Sequence, residues 1–178
     1  MILTELFGLF SLSAFTMWGF LMTFFFNVFV YSLDVKRGTT LLLSSFIMMV
    51  SYTLSDYFYT WLSMKDSIYL DWAMYDIVTI IALACIYKII KKTTPSFIYL
   101  IIGLSINSIL FLCMYLDIYI LKNKEPWFLW DAYTYTVNLV DFIMIVVLIV
   151  DRDFLGLHKF KNKILPSFQK PKIARDCN

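Results

Sequence analysis

Long apolar runs separated by short polar connections make up most of this chain, and their lengths carry the first structural information. The runs fall at 6–33, 40–62, 68–90, 97–121 and 127–150. A helix needs roughly 20 apolar residues to cross a hydrocarbon core about 30 Å thick, and each run meets that length. Stretches such as IVTIIALACIY and FIMIVVLIV do not alternate between apolar and polar positions, so they do not read as the strands of a closed barrel. The pattern therefore predicts an all-α integral membrane protein, a bundle of five transmembrane helices, or four if the first run does not cross fully. The first run has no basic segment before it and far exceeds the roughly 7–15 residues of a secretory signal core, so it is expected to stay in the membrane. Short connections make successive helices antiparallel neighbours.

Beyond the last run the pattern changes. In RDFLGLHKFKNKIL, Phe154, Leu157, Phe160 and Ile164 recur at helical intervals among basic residues, and Pro166 stops the repeat. A short basic amphipathic helix on the membrane surface is expected, drawn to anionic lipids by about 1 kcal/mol for each Lys or Arg. The rest of the tail, with Pro171 and mixed charge, reads as disordered. The chain thus divides into a helical bundle over 1–151 and a basic tail over 152–178.

Charge then orients the bundle. With five spans, Lys36, Arg37, Lys88, Lys91, Lys92 and all the basic residues of the tail share one side, leaving only Lys65, Lys122 and Lys124 on the other. Cytoplasmic segments retain Lys and Arg, so the tail is placed in the cytoplasm and the N-terminus outside. The short loops and this asymmetry fit a bacterial inner membrane.

Composition supports the class, with 61% hydrophobic and only 16% charged residues. It also removes several kinds of chemistry. The single histidine, His158, lies in the tail, so His-ligated haem or zinc within the bundle is not expected. No lysine lies deep in a span to carry a Schiff base, and no Walker loop, GxGxxG or GxSxG motif occurs. Cys85, Cys113 and Cys177 form no CxxC pair and read as free thiols. No enzyme activity, cofactor, metal site or nucleic-acid partner is expected. The lipid bilayer is the obligatory partner, with a homo-oligomer or another membrane protein as further candidates.

What remains is acidic. Asp56, Asp76, Asp117 and Asp141 lie inside apolar runs, with Asp131 near a boundary, and no basic residue lies deep in those runs to pair with them. An ionised carboxylate in hydrocarbon costs at least a few kcal/mol, so each must be protonated, hydrogen-bonded within the bundle, or near water or a cation. Helical spacing groups them in stripes: Tyr52, Asp56 and Tyr59; Trp72, Asp76 and Thr79; Thr134, Asn138 and Asp141. If these stripes face one another, they enclose an outward-open acidic cleft rimmed by Tyr and Trp, suited to a proton or a cationic solute. Asp141 and Asp56 lead the candidates for a proton or cation pathway in a transporter or channel subunit, followed by Asp76, with Asn138 and Tyr52 as hydrogen-bond partners. The alternative is a non-transporting accessory, sensing or defence-type protein that acts through a protein partner. Few glycines, five in all, and no proline within the spans weigh against broken-helix transport.

Overall fold

The structure is a computed structural model that describes residues 9–33, 39–62, 68–90, 94–123, 125 and 127–151. Among them are five α-helices and no strand: α1 (Leu9–Ser32), α2 (Thr39–Leu62), α3 (Ile68–Ile90), α4 (Pro95–Tyr115) and α5 (Phe128–Val150). The expected amphipathic segment and basic tail over 152–178 lie outside the described residues, as do the side chains of Asp56 and Tyr59.

Four helices are long and apolar enough to cross a membrane, over Ala14–Ser32, Ile68–Lys88, Pro95–Ile120 and Phe128–Val150. The first run is one of them. Over its described side chains α2 contributes a shorter apolar stretch, Thr39–Ser55. Its Thr40, Ser44 and Ser45 are buried inside the bundle rather than turned outward.

Local chemistry sets the helix ends. Helix α4 starts at Pro95, two residues before its apolar run, because proline presets a helical φ and the first turn does not need its missing N–H. At its other end α4 passes directly into a π-helical turn, Leu116–Ile120. Helix α5 stops where Asp151 takes a left-handed conformation, φ 49° and ψ 41°, and its N–H donates to the Val147 carbonyl at 2.8 Å. The Ser96 hydroxyl lies between that carbonyl oxygen and the Asp151 carboxylate. This ties the start of α4 to the end of α5 and places an acid at a helix N-terminus, where the macrodipole favours it.

Each helix packs on the next, α1 also packs on α5, and α2 reaches α4 across the middle, so the five close into a ring. Phe20 with Tyr52 and Phe24 with Phe46 show α1 and α2 antiparallel, as Trp72 with Phe111 and Tyr87 with Phe97 do for α3 and α4. The ring closes through a parallel pair, with Gly19 against Ile145 and the Asn27 amide donating to the Leu148 carbonyl at 3.3 Å. One end of the bundle, the tail end, thus holds Thr39, Ile90, Pro95 and Val150; the far end holds Leu62, Ile68, Ile120 and Phe128.

The side chains are distributed as a lipid solvent demands. Phe15, Trp18, Met22, Phe25 and Phe29 of α1 point outward, while Thr23, Asn27, Ser44, Ser96 and Asn107 are buried. Lipid tails are as apolar as leucine, so close contact and polar pairs, rather than apolar burial, hold such helices together. Gly103 illustrates the contact: a Cβ there would come within 2.6 Å of Met144 Sδ and 3.2 Å of Val140 Cγ1. An apolar core of Leu41, Met48, Leu83, Leu100, Leu104, Met144 and Leu148 fills the half of the ring nearer the tail end.

Candidate functional site

Helix register brings four polar side chains to one level near the middle of the ring. With about 1.5 Å of rise per residue, Asp141 lies roughly 14 Å from the end of α5 and roughly 20 Å from its start, and Asn107 lies about 18 Å along α4. Tyr52 of α2 and Asp76 of α3 complete the set.

Asp141 is the most firmly held of these. Its Oδ1 accepts from the Tyr52 hydroxyl at 2.7 Å and from Asn107 Nδ2 at 2.8 Å. The Phe20 ring packs on Tyr52 with centroids 4.3 Å apart and fixes the phenol in place. Asp76 is 7% exposed and near enough to Asp141 for the two carboxyls to interact electrostatically, yet its Oδ2 is buried without a hydrogen-bond partner. Asn107, 1% exposed, spends its amide N–H on Asp141 and leaves its Oδ1 equally unpartnered. The nearest basic residue on α3, Lys88, lies twelve residues away, about 18 Å along the helix. Two carboxyls thus interact in the bundle interior with no basic residue beside them among the described residues.

The two approaches to this level differ. Toward the tail end stand the Thr79 and Ser51 hydroxyls and then the apolar core. Thr79 donates to the Tyr75 carbonyl at 2.7 Å, so its single hydrogen is used and Ser51 is the donor in the bond between them. Toward the far end four rings close on one another: Tyr69 on Trp72, Trp72 on Phe111, Phe111 on Tyr133, and Tyr133 back on Tyr69, with centroids 5.7, 5.4, 5.8 and 5.8 Å apart. Within this quartet Tyr133 is in electrostatic range of both carboxyls and of Tyr69. The carboxyl pair thus sits between an apolar layer and an aromatic layer that carries two phenols.

The other expected site residues fall elsewhere. Asp117 is buried at 4% exposure in the π-helical turn, where its Oδ2 accepts from the indoles of Trp127 and Trp130 at 2.9 and 3.1 Å and its Oδ1 from Asn123 at 3.3 Å. The Asn123 N–H also donates to the Asp117 carbonyl at 3.0 Å, across Lys122, whose φ is 54°. The carboxylate is thereby committed to fastening the connection between α4 and α5. Asp117→Ala would leave two indole N–H groups without acceptors, at about 1–3 kcal/mol for each that stays buried. The expected outcome is a lower melting temperature with altered tryptophan fluorescence.

Asp131 and Thr134 are exposed on α5. The Thr134 hydroxyl donates to the Trp130 carbonyl at 2.9 Å, and the Asn138 amide donates to the Thr134 carbonyl at 2.6 Å rather than to Asp141. Asn138 instead lines a half-open groove of about 220 Å³ between α1 and α5, with Phe15, Thr16, Phe142 and Ile145. The stripes read from the sequence thus converge only in part. Asp76, Asp141, Tyr52 and Thr79 come together, whereas Asp117, Asp131, Thr134 and Asn138 do not join them. Nor do the aromatics line an open cleft at this level, since their rings pack on each other.

Asn107 and Phe111 were not singled out from the sequence. The signal for Asn107 was present, since a carboxamide inside the run IIGLSINSILFL is nearly as conspicuous in lipid as an acid. Among the described residues no three His, Cys, Asp or Glu side chains are grouped as a metal site. No family model matches the chain, and no curated protein or solved structure does either.

Proposed function

We propose that this is a small polytopic membrane protein whose Asp76–Asp141 pair binds or passes protons or a cationic solute, as a transporter or channel subunit. The observation that carries the reading is that two carboxyls share the bundle interior without a basic partner, while only one of them is supplied with hydrogen-bond donors. A purely structural acid is capped, as Asp117 is. Asp76 is not, and an uncapped carboxyl in a membrane bundle marks an ion or proton route. The aromatic layer with its two phenols is the side from which the pair is reached, and the apolar core is the seal. With the basic ends of α2, α3 and the tail facing the cytoplasm, access is from outside, in keeping with a bacterial inner membrane. Continuous helices favour a channel-like path over a rocking mechanism, and a ring of five with a packed interior favours an oligomer.

The test is reconstitution. Proteoliposomes under an imposed membrane potential are expected to show a proton or cation flux well above that of protein-free vesicles. A flux equal to the empty vesicles in well-inserted protein would remove the reading. It would leave the alternative, an accessory, sensing or defence-type protein working through a partner, which the self-contained Asp117 fastening favours. That alternative requires a stoichiometric co-purifying protein.

A further inference from the structure

We propose that the ligand of this centre is a single proton, carried on Oδ2 of Asp76. The inference deepens the reading above, on which it rests for treating the pair as the functional centre, but it does not require net transport.

The argument is an inventory of donors and acceptors. Among the described residues, the buried side-chain atoms left without partners at this level are Asp76 Oδ2 and Asn107 Oδ1. Both are acceptors, so neither can satisfy the other, and a buried unpaired polar group is costly. A proton on Asp76 Oδ2 turns that oxygen into a donor and leaves no second negative charge beside Asp141. The Asn107 amide cannot escape by flipping, because its Nδ2 donates to Asp141 Oδ1 at 2.8 Å and a flip would set oxygen against oxygen. Asp141 is not the carrier: the oxygen that accepts from both Tyr52 and Asn107 is already supplied as an ionised carboxylate requires. Among the described residues, the other titratable groups around the pair are Tyr52 from α2, Tyr69 from α3 and Tyr133 from α5, with only the neutral Asn107 supplied by α4.

A metal cation fits poorly. Hard cations take six or more oxygen ligands, whereas here Asp141 Oδ1 is engaged by Tyr52 and Asn107 and, among the described residues, no third acidic side chain joins the pair. A larger organic cation would have to displace the Phe20–Tyr52 stack or the aromatic quartet.

A hydrophobic carbodiimide reads the proton directly, since the protonated acid, and not the carboxylate, adds across its N=C=N group to leave a stable adduct. With the full chain in liposomes treated with dicyclohexylcarbodiimide and examined by peptide mass spectrometry, the adduct is expected on Asp76, absent from Asp141, and unchanged by excess sodium or potassium. Asp76→Asn, uncharged like the protonated acid and with an amide N–H in place of its O–H, is expected to abolish labelling and to melt with the wild type, whereas Asp76→Leu melts lower. Adduct on Asp141 would overturn the assignment, as would protection by sodium or no adduct in folded protein. Labelled Asp76 in a protein that shows no flux would leave the proton site standing and remove transport; flux with sodium protection would do the reverse.

Discussion

Asp141→Asn is expected to bring the flux through reconstituted protein down to that of empty vesicles while the purified bundle stays assembled. The substitution keeps the shape and an acceptor oxygen, so Tyr52 and Asn107 retain a partner 2.7–2.8 Å away in the native geometry. It removes the negative charge. Asp141→Ala separates the two roles, because it strips the acceptor from two donors in the bundle interior, at about 1–3 kcal/mol for each orphaned group. The alanine variant should therefore lose both stability and flux, and the asparagine variant flux alone. Tyr52→Phe removes one donor and should cost about 1 kcal/mol, the scale of a hydrogen bond within a membrane bundle. Flux is read with a pH-sensitive dye in the vesicle lumen, and stability by melting in detergent. If the asparagine variant conducts as well as the wild type, Asp141 only joins helices and the proton route lies elsewhere.

Much of the fold was legible because the apolar runs are long and the interruptions short, a signal that needs no tertiary information. The site was legible in part. Asp141 and Tyr52 could be picked from their position inside apolar runs, and of the two hydrogen-bond partners expected, Tyr52 and Asn138, only Tyr52 reaches Asp141. Three residues along a helix leave two side chains only about 60° apart in projection, so spacing alone cannot decide which of the pair faces inward. The structure turns Asp141 into the ring and Asn138 onto the α1–α5 groove. Asp117 was misleading for a different reason. Its indole partners come from Trp127 and Trp130, and tryptophans at a bundle end are expected at any membrane interface, so nothing in their type announced a hydrogen bond to an acid. That Asn107 reaches Asp141 depends on how α4 packs on α5, which no pattern within either helix encodes.

The apolar layer on the tail side can be tested by breaching it at Met48. That side chain is fully buried in α2, one turn from Ser44 on one side and one turn from Ser51 on the other. Ser51 is already bonded to Thr79, one turn along α3 from Asp76, whereas the Ser44 hydroxyl is buried without a partner. Met48→Ser would join these into a continuous line of hydroxyls from Thr40 to the carboxyl level and open space for water in an apolar constriction, which conducts once it wets. Removing so much of a buried side chain costs about 2–5 kcal/mol, so the variant must first be shown to remain monodisperse. Met48→Leu keeps the volume, costs less than about 1.5 kcal/mol, and is expected to behave as the wild type. In Met48→Ser the proton flux under the same imposed potential should rise several-fold above the wild type, and adding Asp141→Asn should silence the rise. A leak that persists without Asp141 would come from a loosened bundle rather than from a path through the pair. The apolar core would then be packing and not a gate.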